Sequence, residues 1–133
     1  MLPKMLQKGK PRFWALIESS GGCYEMGELN EIWKSPPGFV ISQIRSHQIL
    51  ALNREDGTLC IPRFQFDPKT SHPFPGLQAV LAATESWPIE ETTRFLLHRF
   101  DPEHHDKRPI DYLREGKLSV VLDLADTHLT QRP

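Results

Sequence analysis

The strongest hydrophobic pattern lies in the second half of the chain, where apolar residues repeat at the spacing of one helix face. This pattern predicts helices over 89–97 and 118–125. A shorter helix between them begins at Pro109, because proline suits a first helical position. It ends at Gly116, which can adopt the left-handed conformation of a helix end. Three helices with short connections predict a compact bundle.

The first half of the chain predicts a different arrangement, in which two short helices are followed by a β-hairpin. Helical patterns cover 24–33 and 39–47, and a Pro-Pro-Gly turn separates them. Two apolar runs, 49–52 and 58–61, flank an Asp-Gly pair, which is a strong hairpin signal. This order is the outline of a helix-turn-helix with a small wing.

The remaining segments complete the predicted organisation. Residues 1–12 are basic and have no apolar repeat, so we expect a flexible N-terminal segment. The run 13–17 is too short to distinguish a strand from a helical turn. The predicted fold is therefore mainly α with a small β-hairpin. A compact helix-turn-helix or winged subdomain over 13–66 packs on a C-terminal helical bundle over 67–133.

Composition and cysteine content narrow the class of protein. The net charge is −1, so no overall charge favours nucleic acid or an anionic membrane. The chain contains Cys23 and Cys60 but no Cys-x-x-Cys pair, which favours two reduced thiols. No apolar run has the length of a membrane span, and the N-terminus lacks the apolar core of a signal peptide. We therefore expect a cytoplasmic protein.

The sequence contains none of the common catalytic motifs. It has no Gly-x-Ser-x-Gly, no glycine-rich phosphate loop and no nucleophile with a paired base. We therefore expect no enzymatic activity and no cofactor. A group of histidines and acids has no pair at metal-ligand spacing on one helix face, and it is interpreted as a solvated loop. That group is His98, Asp101, Glu103, His104, His105 and Asp106.

The second predicted helix carries candidate DNA-binding residues. Short polar side chains and an arginine on an exposed helix can read base edges, and an arginine in the hairpin turn can reach a phosphate. The candidates are Ser42, Gln43, Arg45, Ser46 and Arg54. A solvated surface, or a face for another partner, has the same composition, so both interpretations stay open.

Several short motifs follow one another in a recognisable order. They begin with Ile61-Pro-Arg-Phe-Gln-Phe66 directly after the hairpin and continue with Pro75-Gly-Leu-x-x-Val-Leu81. Phe95-Leu-Leu and Asp101-Pro-Glu come next. Arg108-Pro-Ile-Asp-Tyr-Leu-x-x-Gly116 and Val120-Val-x-x-x-Ala125 complete the series. In order and spacing, this series resembles the toxin-binding domain of Xre/MbcA/ParS-type antitoxins over about residues 61–128.

The resemblance implies an antitoxin of a type II toxin–antitoxin system that neutralises its partner by direct binding. The toxin in such pairs is commonly a RES-type enzyme that attacks NAD, and the N-terminal part of the antitoxin can bind operator DNA. The expected toxin-binding residues lie at the end of the last helix and in the tail. They are Asp123, Asp126, His128, Thr130, Gln131 and Arg132.

Two other functions remain open from the sequence. The chain could be a DNA-binding regulator without a toxin partner, acting as a dimer. It could also be a scaffold or an immunity-like protein that binds another enzyme. A homodimer is compatible with all three functions, and none of them predicts a metal.

Overall fold

The architecture was obtained as a computed structural model, which describes residues 2–99 and 107–130, with side chains over 11–99 and 107–128. Seven helices and three short strands cover these residues, which confirms the predicted fold class of mainly α with a small hairpin. In chain order they are α1 Leu2–Ser19, β1 Cys23–Tyr24, α2 Met26–Trp33, α3 Phe39–Arg45, β2 Leu52–Asn53, β3 Leu59–Pro62, the 3-10 turn Arg63–Gln65, α4 Leu77–Ala83, α5 Ile89–Leu97, α6 Pro109–Arg114 and α7 Leu118–Thr130.

The sheet is antiparallel and has the strand order β1-β3-β2. Of the predicted strand over 49–52, only Leu52 lies in an observed strand. The backbone of Leu50 forms hydrogen bonds with a side chain and not with a neighbouring strand. The buried amide of Gln65 accepts a hydrogen bond from the Leu50 N–H at 2.7 Å and donates one to the Leu50 carbonyl at 2.9 Å. The segment 62–66 contains the 3-10 turn Arg63–Gln65, which places this amide.

Two hydrophobic cores lie on opposite sides of the sheet. Side chains along β3 alternate between them, so that Cys60 belongs to one core and Ile61 to the other. The large core packs α1 and α4–α7 against one side. The small core packs α2 and α3 against the other, and its buried residues are Leu29, Val40, Ile49, Ile61 and Phe66. Residues of the first half of the chain, among them Phe13, Leu50 and Phe64, thus share the large core with the C-terminal helices.

The N-terminal segment differs from its prediction. Residues 1–12 were predicted to be a flexible segment and no helix was assigned to them, but α1 begins at Leu2 and continues through Pro11. Phe13 and Ile17, four residues apart, are both buried in the large core. Their burial stabilises the helix that proline alone would weaken, since a proline inside a helix removes one hydrogen bond. The apolar run 13–17 is thus helical, and it packs with the C-terminal helices.

The prediction of two reduced thiols is wrong for this structure, in which Cys23 and Cys60 form a disulfide. The pattern gave no signal for β1, whose second residue, Tyr24, is the first residue of the predicted helix over 24–33. Pairing of β1 with β3 places the two Cα atoms 5.4 Å apart, within the range that a disulfide spans. The bond therefore joins the strand before α2 to the central strand of the sheet.

Tight glycine turns bring α4, α6 and α7 together. Gly76 precedes α4 at φ 93°, and a Cβ at this position would lie 3.2 Å from methyl carbons of Leu113 and Leu118. Gly116 ends the α6 region at φ 79°, as predicted from the sequence. These two turns set the packing of α7, whose outer surface carries the candidate toxin-binding residues.

Candidate interaction surfaces

The outer face of α7 is polar and acidic. The helix buries Val121, Leu124 and Ala125 in the large core, so its opposite side faces solvent. Asp123 and Asp126 are exposed on that side, and neither carboxylate forms a hydrogen bond or salt bridge within the described part of the chain. Asp126 lies in the C-terminal half of the helix, where the helix dipole favours cations. We call this pair the acidic face of α7.

His128 points away from the acidic face. Its imidazole packs on Trp87 with ring centroids 5.0 Å apart and on Phe95 at 5.8 Å. Its Nε2 lies 3.8 Å from a carboxylate oxygen of Glu91 and has no hydrogen-bond partner among the described residues. His128 therefore packs the end of α7 against α5. It does not lie beside Asp123 and Asp126.

The rest of the predicted toxin-binding set follows His128. Thr130 is the last residue of α7, and its side chain is not described. Gln131 and Arg132 lie outside the described residues. The structure thus brings Asp123 and Asp126 together on one surface and separates His128 from them.

The predicted DNA-binding side chains on α3 are exposed to different degrees. Ser42, Arg45 and Ser46 are exposed, whereas Gln43 is half-buried. The hydroxyl of Ser42 donates to the Phe39 carbonyl at 2.6 Å, and that of Ser46 donates to the Ser42 carbonyl at 2.8 Å. Both hydroxyl protons are therefore engaged by the helix itself, which leaves Arg45 as the strongest free donor of the set.

Arg54 is held within the hairpin. Its Nη1 lies 3.4 Å from the Thr58 hydroxyl and 3.3 Å from the Leu59 carbonyl, to which it donates. The side chain and backbone of Thr58 hydrogen-bond to Asp56 and lower the pKa of that carboxyl. Arg54 thus stabilises the hairpin, and reaching a phosphate would require its other guanidinium nitrogens.

An apolar patch at the α2–α3 turn was not predicted as a functional surface. Ile32 and Phe39 are each 41% exposed. Trp33 lies between them and the body of the protein, with its ring 6.0 Å from that of Phe39 and its indole N–H donating to the Ser71 carbonyl at 2.6 Å. Ile32 fits the helical repeat of α2 in the sequence, so periodicity alone assigns it to the core.

A cavity of about 250 Å³ lies where α3, α4 and the start of α5 meet. Its lining is mostly apolar, and it comes from residues far apart in the sequence. The lining residues are Ile44, His47, Ile49, Ala51, Leu81, Thr84, Glu85, Trp87, Ile89 and Thr92. The one local signal in the sequence is Ile89, an apolar residue directly before Glu90 and Glu91, and it is 44% exposed at the rim.

A charged cluster surrounds α6. The guanidinium of Arg108 donates to both carboxylate oxygens of Asp111 at 3.1 Å, and Arg114 donates to one of them at 3.4 Å. Burial raises the pKa of the Asp111 carboxyl, but these hydrogen bonds and charges outweigh it and keep the pKa below its usual value. Hydrogen bonding between Lys107 and Glu115 raises the pKa of the amine and lowers that of the carboxyl.

The described residues include no group of three or more histidines, cysteines or acids that could hold a metal ion. In the candidate histidine loop, only His98 is described, and Asp101, Glu103, His104, His105 and Asp106 lie outside the described residues. Among the described helices, none is both long enough and apolar enough to cross a bilayer.

Comparison with models of protein families, with curated proteins and with solved structures finds no match to this chain.

Proposed function

We propose that this chain is the antitoxin of a type II toxin–antitoxin pair and that it neutralises its partner by direct binding through the acidic face of α7. The observation that carries the proposal is the pair of exposed carboxylates of Asp123 and Asp126, which have no partner among the described residues. They lie on a helix whose other side is buried in the large core, so the surface is rigid before a partner binds. A preformed surface loses little conformational entropy on binding.

The charge of this surface fits the proposed class of toxin. An enzyme that degrades NAD binds an anionic dinucleotide, and such a pocket carries positive charge. An acidic helix is electrostatically complementary to such a pocket, and complementarity raises the association rate and the specificity of the complex. Thr130, Gln131 and Arg132 follow in the sequence and belong to the proposed contact, whereas His128 positions the helix.

Co-expression with the protein encoded by the adjacent reading frame tests the proposal. We expect growth arrest by that protein alone, rescue by this chain, and a complex that Asp126→Arg weakens at least tenfold. Glu31→Arg is the matched control, since it makes the same charge change at an exposed helical position of α2. Equal inhibition by both variants would exclude the acidic face of α7 as the inhibitory surface.

Operator binding is a second candidate function, favoured by the order of α2, α3 and the hairpin. Arg45 on α3 is exposed and has no partner among the described residues, so its guanidinium can reach a phosphate. The hydroxyls of Ser42 and Ser46 already donate within the helix and contribute less. Arg45→Ala should weaken DNA binding several-fold and reduce its salt dependence. Lys69→Ala, at an exposed loop position, is the control. A change as large for Lys69→Ala would indicate nonspecific attraction.

The remaining alternative is a scaffold or immunity-like protein that binds an enzyme unrelated to NAD. The same co-expression separates it, because the adjacent product would then be harmless and Asp126→Arg would have no phenotype. A cytoplasmic location belongs to the proposed function as well. It requires that the disulfide between Cys23 and Cys60 persist or form in a reducing compartment, where disulfides are rare.

A further inference from the structure

The disulfide between Cys23 and Cys60 holds an edge strand whose other attachments are weak. β1 lies at the edge of the sheet and pairs with β3 through two residues, Cys23 and Tyr24. Pro62, which lies opposite Cys23, has no backbone N–H and donates nothing to this ladder. Arg63 donates to the Cys23 carbonyl at 3.3 Å, but its side chain is 43% exposed, so water competes for the bond. The covalent bond is therefore the main attachment of β1 to β3.

The two cysteines differ in exposure. Cys60 is fully buried in the large core, whereas Cys23 is half-buried beside it. A thiolate from solvent therefore reaches the sulfur of Cys23 more readily, and Cys60 is the leaving group. The chain contains no other cysteine, so exchange cannot move the bond to a third thiol of the same molecule. The pair consequently has two states, a disulfide and a dithiol.

We propose that Cys23 and Cys60 form a reversible redox switch that controls the attachment of β1 and, through it, the layer of α2 and α3. In the disulfide state β1 is fixed to β3, and α2 begins at Met26, two residues after the strand ends. In the dithiol state the attachment depends on the short ladder, on exposed Arg63 and on Tyr24, which packs on the small core. β1 and the start of α2 then open more often. α7 packs on the large core through its own apolar face and stays in place.

The chemical step is thiol–disulfide exchange with a dithiol reductant. One thiolate of the reductant attacks the sulfur of Cys23, the bond to Cys60 breaks, and Cys60 leaves with the electron pair and takes up a proton. The second thiol of the reductant then displaces the sulfur of Cys23, which is protonated in turn. The cysteine pair gains two electrons and two protons, and the dithiol becomes a disulfide. Oxidised glutathione reverses the change and is itself reduced to two thiols.

A switch of this kind fits a reducing compartment, which the proposed function requires. Disulfides are rare there, and those that form are usually transient and often sense redox state. The physiological role of the switch therefore rests on the proposed function, whereas the structural effect of reduction does not. The α3 face responds to redox state and the acidic face of α7 does not, so neutralisation of a partner continues when contact with DNA is weakened.

Hydrogen exchange of the purified full chain, measured by mass spectrometry of its peptides, tests the proposal. Dithiothreitol and oxidised glutathione set the two states at neutral pH, and circular dichroism verifies that both are folded. We expect exchange in peptides of β1 and α2 to be at least tenfold faster after reduction, while peptides of α5 and α7 remain protected at the same labelling times. Oxidised glutathione should restore the slow exchange. In the reduced protein, iodoacetamide should label Cys23 at least tenfold faster than buried Cys60.

The Cys23→Ala/Cys60→Ala variant should exchange like the reduced wild type and should respond to neither reagent. Cys23→Ala alone retains Cys60 in the large core and replaces the double variant if that variant does not fold. A disulfide that dithiothreitol leaves intact in the folded protein would overturn the proposal. So would unchanged exchange in β1 and α2, or an equal loss of protection in α2 and α7. None of these results bears on the neutralisation of a partner, which co-expression tests separately.

Discussion

The large core and the small core are held together by different interactions. Five helices supply the large core, whereas the small core consists of a few residues beneath α2 and α3. The small core is reinforced by Arg63, whose guanidinium lies 4.3 Å from the Tyr24 ring centre and donates to Glu28 at 3.2 Å. The disulfide lies on the large-core side of the sheet, where it ties the strand before α2 to β3. A layer with little apolar area needs such crosslinks, because small cores provide little net stability.

We therefore expect the helices that carry the two candidate surfaces to differ in local stability. The acidic face of α7 lies on a helix of the large core, so α7 should unfold only when the whole protein unfolds. The α3 face lies on the small core, and segments with few buried apolar contacts open at lower free energy. Inhibition of a partner and contact with DNA would therefore depend on layers that differ in rigidity.

The largest expected effect comes from matched truncations in the two cores. Leu96 and Leu29 are both fully buried, one in each core. Leu96→Ala should reduce the free energy of unfolding by about 4 kcal/mol and Leu29→Ala by about 2 kcal/mol, because a thin layer can collapse around the cavity more easily. Urea denaturation of both variants measures the difference. Equal losses would show that the two cores are equally well packed.

The helices of the large core were the most predictable part of the fold. The 3.6-residue repeats of α5 and α7, with Pro109 and Gly116 between them, are local signals that tertiary packing reinforces. α1 could not be predicted, because Pro11 argues against a helix and only distant contacts of Phe13 and Ile17 stabilise it. β1 has two residues, too few for any period, and its pairing with β3 spans a long stretch of sequence.

The next effect concerns the disulfide, which lies on the large-core side of the sheet and joins the strand before α2 to β3. The bond joins residues 37 apart, and closing a loop of this length restricts the unfolded chain by about 3–4 kcal/mol. Reductant should therefore lower the unfolding free energy by about 3 kcal/mol, with the earliest hydrogen exchange in α2. The Cys23→Ala/Cys60→Ala variant is the control, since reductant should not change it. Thiols that titrate in the native, unreduced protein would contradict the crosslink.

The candidate surfaces were predictable to different degrees. Asp123 and Asp126 lie on the outer face because the apolar repeat of α7 fixes the inner one. His128 was assigned to the same surface, but sequence position could not show that the rings of Trp87 and Phe95 lie beside it. The cavity could not be predicted, because its lining residues lie between Ile44 and Thr92 in the sequence. Hydrophobic periodicity does not indicate which distant elements pack together.

The smallest effect tests the charged cluster beside the large core. Asp111→Asn removes the carboxylate that Arg108 and Arg114 share, while the amide retains the shape of the side chain. We expect a loss of at most about 1 kcal/mol near pH 7, because partly exposed ion pairs contribute little. The packing of α7 against the large core should be the same in the variant as in the wild type, because apolar contacts and not charges stabilise that core.

The pH dependence of this loss has a definite sign. The folded-state pKa of Asp111 is depressed, so its contribution is complete above the unfolded value of about 3.9 and is lost as the pH falls through the lower folded value. Wild type and Asp111→Asn should therefore differ in urea denaturation near pH 7, and the difference should shrink at a pH below the unfolded value of about 3.9. Asp123→Asn, at an exposed carboxylate with no partner in the described part of the chain, should show no difference at either pH. A loss of the same size at both pH values would mean that the shape of the Asp111 side chain, and not its charge, stabilises α6.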